Sequence, residues 1–192
     1  MSWGFYSEDK KNDFVAQVTD SGLIGLFEAD YIQIQALKIP FYQNGEFLLM
    51  ENLNVAPPFT MEYIAAGHND QDIVYLDGTS EPFRILNQKG HLLLNDETVI
   101  DYLEFFCFSV NQRPQNILLL RNPEQMPYQD TIYLDFHFDK NNYGADDIKL
   151  SRNPDQNGYI VHAPFVFAGK IDLGIATISD SGDIHIERSN PR

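Results

Sequence analysis

Segments in which apolar and polar residues alternate recur along this chain, and short turns separate one segment from the next. The first covers residues 32–39, where isoleucine and leucine interleave with glutamine and lysine until Pro40 ends the run. Alternation places the apolar side chains on one face of a strand and the polar ones on the other. Because the intervening turns leave no room for crossover helices, the pattern favours antiparallel pairing over parallel βαβ winding.

The other predicted strands share short runs of β-branched and aromatic residues bounded by Gly, Pro, Asn or Asp. In the first half of the chain they cover residues 47–50, 59–65, 73–76, 83–86 and 91–94, the last two joined as a hairpin. In the second half they cover residues 117–120, 132–138, 148–150, 159–161, 165–167, 175–178 and 184–186. Asn157-Gly158 and residues 180–183 carry the strongest signals for hairpin turns.

One amphipathic helix is predicted over residues 96–110. Its apolar residues recur at spacings of three and four, as the buried face of a helix requires. They are Val99, Leu103, Phe106 and Val110, flanked by Ile100 and Cys107. Asn95 or Asp96 can cap this helix, and Pro114 lies just beyond its end. A weaker helical pattern covers residues 13–19.

Together these elements predict an α+β fold. A mainly antiparallel β-sheet packs against one principal helix, at about residues 96–110, and a short amino-terminal helix accompanies them. With 192 residues and 43% hydrophobic content, the chain is long and apolar enough for a packed core. We expect a single domain over residues 1–192, and residues 111–115 are the best candidate for a boundary within it.

Acidic residues outnumber basic ones by 28 to 13, which gives a formal net charge of −15. Lysine and arginine are spread thinly, and the clustered positive charge that nucleic acids require is missing from the sequence. An anionic membrane surface would repel the chain for the same reason. The field of the protein instead favours a basic protein or a divalent cation as its partner.

Cysteine usage and the amino terminus indicate a cytoplasmic location. Cys107 is the one cysteine of the sequence, which excludes an intrachain disulfide and fits a reducing compartment. Residues 1–9 lack the basic segment followed by an apolar segment that is typical of a signal peptide, and no run approaches the ~20 apolar residues of a membrane span.

Cys107 lies between two phenylalanines on the apolar side of the helix, so we expect a buried side chain rather than a nucleophile. Phosphate-binding loops, serine elbows and zinc-ligand spacings are absent from the sequence.

The principal helix carries a stripe of acidic residues. Glu97, Asp101 and Glu104 are spaced four and three apart, so they stack on one side, where like charges repel. No lysine or arginine lies between Lys89 and Arg113 to relieve them. We therefore predict that the stripe binds a basic partner. The alternative is a solvated face whose first-turn acids gain from the helix dipole.

Two strands alternate carboxylate or imidazole side chains with apolar ones. On an extended chain each set would share one face. These candidate metal ligands are Asp135, His137 and Asp139 on the first strand, and Asp183, His185 and Glu187 on the second. Side by side, the two strands would offer enough oxygen and nitrogen ligands for Zn, Mn or Fe. The alternative is the wet face of an amphipathic strand in an acidic chain.

The chain also resembles a family of uncharacterised bacterial proteins. The resemblance begins at about Glu81 and covers roughly the second half of the chain. The residues that carry it are Pro82-Phe83, Leu92-Leu93-Leu94 and Asp101-Tyr102-Leu103-Glu104-Phe105-Phe106-Cys107-Phe108. That family has a similar Tyr-Leu-x-Phe-Phe-Cys helix followed by several strands. The resemblance implies a bacterial α+β protein, and it implies neither a function nor a site residue.

Two functions are compatible with these observations. The leading hypothesis is a non-catalytic acidic interaction protein that binds a basic protein partner, as inhibitors, immunity-type proteins or adaptors do, and that needs no cofactor. The alternative is a metal-binding protein or metal-dependent hydrolase that holds a divalent metal ion on the two strand faces.

Overall fold

In the computed structural model of the chain, the described residues are 3–18, 29–67, 72–110, 117–121, 148–154, 157–167 and 170–189. They divide between two compact units. The amino unit contains Met1–Asp77 and Lys89–Leu93, and the carboxyl unit contains Gly78–Gln88 and Leu94–Arg192. No helix in the described ranges has the length and hydropathy of a transmembrane span.

The amino unit is an antiparallel sheet of five strands in sequential order, with one helix beside it. Its elements are β1 (Gly4–Phe5), α1 (Glu8–Val18), β2 (Ile32–Lys38), β3 (Glu46–Asn52), β4 (Phe59–Ala66) and β5 (Asp72–Tyr75). A single 3-10 turn, Ala29–Tyr31, precedes β2. β1 pairs with β2 across α1, and from β2 onward each strand pairs with the next strand of the chain.

The core of the amino unit lies between α1 and one face of this sheet. Phe14 and Val15 of α1 are buried against apolar residues of the central strands. The register aligns Ile34 with Met50, so residues two apart on each strand point toward the helix. The ring of Phe14 meets that of Tyr63 edge to face, with ring centroids 5.3 Å apart.

The carboxyl unit contains a second antiparallel sheet and two helices. Its elements are α2 (Glu81–Gln88), α3 (Val99–Ser109), β6 (Ile117–Leu119), β7 (Lys149–Arg152), β8 (Gly158–Phe167), β9 (Lys170–Ser179) and β10 (Ile184–Arg188). The strand order is β10-β9-β8-β6, and β7 pairs with the first half of β8. Helix α3 packs against β6.

One face of this second sheet is the core of the carboxyl unit. Tyr159, Val161, Ala163 and Phe165 alternate along β8 and are almost fully buried. The turn before β8 depends on Gly158, which has a φ of +137° and whose added Cβ would collide with the carbonyl oxygen of Ile178. The Asn157-Gly158 signal in the sequence therefore marks a turn that only glycine fits.

The α+β fold with mainly antiparallel sheet is confirmed. The principal helix is present, as is the amino-terminal helix, which begins earlier than the pattern of residues 13–19 indicated. The predicted hairpin of residues 83–86 and 91–94 is wrong, because residues 83–86 lie within α2. The strand predicted at 132–138 and the candidate boundary at 111–115 lie outside the described residues. The single domain over residues 1–192 stays a prediction.

Helix α2 contains a short apolar run that fits a strand as well as a helix. Phe83 and Leu86 are buried three residues apart, which is a helical spacing as well as part of a strand-like run. Arg84 pairs with Glu81 on the exposed side, one turn away. The backbone N–H of Glu81 donates to Thr79 Oγ1 at 3.2 Å, which satisfies one of the N–H groups at the start of the helix.

Candidate acidic binding surface

The start of α3 is fixed by two side chains that cap each other's backbone. Asn95 Oδ1 accepts hydrogen bonds from the backbone N–H groups of Glu97 at 2.8 Å and Thr98 at 3.1 Å. In return, Thr98 Oγ1 accepts from the backbone N–H of Asn95 at 3.0 Å. This reciprocal arrangement has the pattern of a capping box and closes the turn that precedes α3, although the N-cap position itself is Thr98 rather than Asn95 or Asp96. Because Asn95 anchors the turn, Asp96 and Glu97 are presented at the positive end of the helix.

The expectation that no cation relieves the acidic stripe is wrong. Arg121, just after β6, contacts both Asp101 and Glu104, and the distance from its Nη1 to Glu104 Oε2 is 3.1 Å. Burial opposes the ionisation of this guanidinium, but its hydrogen bonds to the two carboxylates outweigh that effect and raise the pKa of Arg121. Local sequence does not reveal these ion pairs, because Arg121 lies beyond Arg113 in the chain and reaches α3 only through β6.

A second arginine is shared in the same way near the start of α3. Arg152, at the end of β7, lies 3.4 Å from Asp96 and 3.8 Å from Asp180. Its guanidinium also stacks 4.0 Å above the ring of Tyr159. The side chains of Asp96 and Asp180 keep 73% and 56% of their exposure, so both carboxylates remain available to a partner.

Glu97 completes the group. Its side chain is exposed, and none of the ion pairs that the structure shows within the described residues involves it. We define the acidic surface as five carboxylates and two arginines of the carboxyl unit. They are Asp96, Glu97, Asp101, Glu104 and Asp180, with Arg121 and Arg152. Since five negative charges meet two positive ones, the surface keeps a net charge of about −3.

The predicted metal ligands have a different outcome. Asp135, His137 and Asp139 lie outside the described residues. His185 and Glu187 share an exposed face of β10, opposite Thr177 and Ile175 of β9. Within the described ranges, no three His, Cys, Asp or Glu side chains converge as metal ligands. The metal site therefore stays a prediction.

Asp183, the third predicted ligand on the last strand, is part of a turn instead. It precedes β10, and its Oδ2 accepts hydrogen bonds from Ser181 Oγ at 2.8 Å and Ser179 Oγ at 3.3 Å. Its backbone N–H donates to Ser179 Oγ at 2.9 Å. These bonds tie the carboxylate to the β9–β10 turn, whereas His185 and Glu187 lie on the strand. The alternating pattern of residues 183–187 placed Asp183 on the same face as His185 and Glu187, which would require the chain to be extended at residue 183 already.

A cluster in the amino unit was missed by sequence reasoning. Asp72 of β5 contacts Lys89 and lies 2.5 Å from His91 Nε2. Hydrogen bonds from Lys89 and His91 hold the pKa of Asp72 below its ordinary value. The ring of His91 lies against Gly67, where an added Cβ would come within 2.8 Å of the imidazole. The cluster therefore fastens the Lys89–Leu93 segment to the sheet.

Cys107 is buried, as the sequence predicts. Burial raises the pKa of its thiol to about 12, so the thiol is protonated at neutral pH and is a poor nucleophile.

Comparison of the chain with protein-family models, with curated proteins and with solved structures found no match. Inference about function therefore depends on the surfaces and cavities of the two units.

Proposed function

We propose that this chain is a non-catalytic binding protein whose acidic surface docks a basic protein partner. The observation that carries the proposal is the sharing of Arg121 and Arg152, each between two carboxylates. An arginine that is shared in this way neutralises only one of its two partners. The surface therefore keeps unmatched negative charge beside the exposed Glu97, and a lysine or arginine of a partner can compensate it.

The layout of the surface favours a protein over a metal ion. A metal ion needs several oxygens that converge on one point, whereas these carboxylates are distributed over the start of α3, its first two turns and the β9–β10 turn. A basic protein can meet such a spread of charge at several points. The overall charge of −15 would also speed its encounter with the acidic surface.

The proposal implies an inhibitor, immunity-type or adaptor role rather than catalysis. We also propose a cytoplasmic location, which the single, free cysteine of the sequence supports because free thiols are typical of a reducing compartment. In such a role the acidic surface contributes mainly to the association rate and to partner choice, and less to the affinity itself. Salt should therefore weaken the association strongly, because exposed charges are screened beyond about 10 Å at 0.1 M ionic strength.

The test compares two charge reversals of equal size. Glu97→Lys changes the acidic surface, and Glu187→Lys changes an exposed position on β10 by the same two charges. The association rate constant of a labelled octalysine peptide is measured for both variants and for the natural chain, in stopped flow at low and at high salt. We expect Glu97→Lys to slow association several-fold more than Glu187→Lys at low salt, and the difference to vanish near 1 M salt.

Equal slowing by the two variants would mean that the net charge acts and the acidic surface does not, and the proposal would fail. A second arm uses proteins captured from a cell lysate on the immobilised chain. Basic proteins that bind the natural chain and the Glu187→Lys variant, and that are lost with Glu97→Lys, are the expected partners. Capture that is unchanged in all three would also contradict the proposal.

A further inference from the structure

A cavity of about 300 Å³ lies within the carboxyl unit, between the two helices and the sheet. Its apolar lining comes from α2, from the end of α3 and from strands β6 and β10. The apolar residues are Phe83, Phe106, Val110, Ile117, Ile184 and Ile186. The polar side chains of the lining are Ser80, Arg84, Asn87 and Asp183. None of these side chains belongs to the acidic surface.

The apolar part of the lining contains a pair of aromatic rings. The rings of Phe83 and Phe106 meet nearly edge to face, with centroids 5.0 Å apart. Phe83 is almost fully buried and also contacts the rings of Tyr102 and Phe105, so the half-buried Phe106 is the ring of the pair that remains accessible to a ligand. Cys107 also lines the cavity, and its thiol carries no charge at neutral pH. The interior is therefore suited to an apolar body.

The two charged side chains that line the cavity, Arg84 and Asp183, have opposite signs. Arg84 Nε donates to Glu81 Oε2 at 2.7 Å. Asp183 accepts from Ser181 Oγ at 2.8 Å and keeps its negative charge. A ligand with a net charge would therefore meet one attractive and one repulsive group in the same cavity. An uncharged ligand meets no such repulsion.

We propose that this cavity binds an uncharged aromatic ligand of about two fused rings. Its size supports the assignment, because an apolar cavity of about 150 Å³ admits benzene, and this cavity is twice as large. The polar side chains of the lining can form a hydrogen bond with one group on the ligand, such as the N–H of an indole, while the ring system contacts the apolar side chains.

Indole is the probe for the test. It is titrated into the whole chain while the midpoint of thermal unfolding is followed. At about five times the dissociation constant, the midpoint should rise by about 2–4 °C, and it should keep rising with the logarithm of the indole concentration.

Two variants with a larger residue in the lining, Val110→Trp and Ile117→Phe, identify the site. Each should reduce or abolish the indole-dependent rise. The matched control is Val55→Trp in the exposed β3–β4 turn of the amino unit, which should leave the rise unchanged. The same holds for Glu97→Lys, so failure here is distinguishable from failure of the acidic surface. The proposal would be overturned by a midpoint that indole does not raise, or by a rise that survives in every folded lining variant.

Discussion

The hydroxyl of Tyr102 donates a hydrogen bond to the carbonyl oxygen of Gly182, 80 positions later in the chain, at 2.7 Å. The same hydroxyl accepts from Asn87 Nδ2 at 3.0 Å. The side chain of Tyr102 is fully buried, so these bonds are made away from water. One phenol therefore joins α3, α2 and the β9–β10 turn, which are the elements that surround the cavity.

Removal of this hydroxyl should destabilise the carboxyl unit. Tyr102→Phe leaves the ring in place but deprives Gly182 of its donor, and an unmatched buried acceptor costs about 1–3 kcal/mol. Urea unfolding measures the change. The control is Tyr31→Phe, at an exposed position of the amino unit, where we expect a change within about 0.5 kcal/mol. A Tyr102→Phe variant as stable as the control would show that the network contributes nothing.

The capping box at the start of α3 gives a second prediction. Asn95→Ala removes the oxygen that accepts from the backbone of Glu97 and Thr98, and loss of such a cap costs about 1 kcal/mol. Asn95→Ser, which restores an acceptor, should recover most of the loss. Urea unfolding of both variants checks this. If serine and alanine lower the free energy of unfolding equally, the side-chain cap has no role in stability.

Substitution of Arg121 should lower the stability of the chain but speed its association with a basic peptide. Arg121→Gln should cost only about 0.2–1 kcal/mol, because the ion pairs that it loses are exposed. The same change takes the net charge of the acidic surface from −3 to about −4, so the octalysine peptide should associate faster at low salt. Lys149→Gln, an equal charge change at an exposed position of β7, is the control. Association that speeds up equally in both variants would assign the effect to net charge alone.

The sequence predicted well those elements in which local pattern and tertiary burial agree. In β2, and in β4 as far as Tyr63, apolar and polar residues alternate over one buried face, so period and burial point to the same structure. For α3 the agreement is partial: Val99, Leu103 and Cys107 are buried as predicted, whereas Phe106 and Val110 are only half-buried. The Asn157-Gly158 turn was predicted because its glycine is required by the backbone itself.

The rest depended on residues that are distant in sequence. Helix α2 has only eight residues, too few for periodicity to separate a helix from a strand. Arg121 pairs with residues 17 and 20 positions earlier, and the pairing of Asp72 with His91 spans 19 positions. Such ion pairs depend on how the chain folds. Acidic residues that have no basic neighbour along their own helix can therefore be paired with an arginine from another element.

Asp72 should make the stability of the amino unit depend on pH in the acidic range. Hydrogen bonds from Lys89 and His91 lower its pKa from 3.8, so the folded state binds the proton less tightly than the unfolded state does. The stabilisation is then complete above pH 3.8 or so and is lost as pH falls through the lower folded pKa. Asp72→Asn should be less stable than the natural chain at pH 6, and the difference should shrink toward pH 2.

A partial disruption provides the control for that prediction. Lys89→Met removes the first partner of Asp72 and leaves His91, so its loss of stability at pH 6 should be smaller than that of Asp72→Asn. Urea unfolding at several pH values measures both. A free-energy difference between Asp72→Asn and the natural chain that stays constant from pH 6 to pH 2 would contradict the linkage.

Glu62 should show the opposite sign on the same sheet. Burial raises its pKa above 4.5, so the folded state binds the proton more tightly and loses stability as pH rises through that range. Glu62→Gln should therefore stabilise the chain at pH 7, by no more than about 1 kcal/mol because water still screens a half-buried side chain. The gain should disappear below pH 4. Glu51→Gln, on the same face of neighbouring β3, removes an equal charge. If both variants gain equally at pH 7, relief of general repulsion, not burial of Glu62, is the cause.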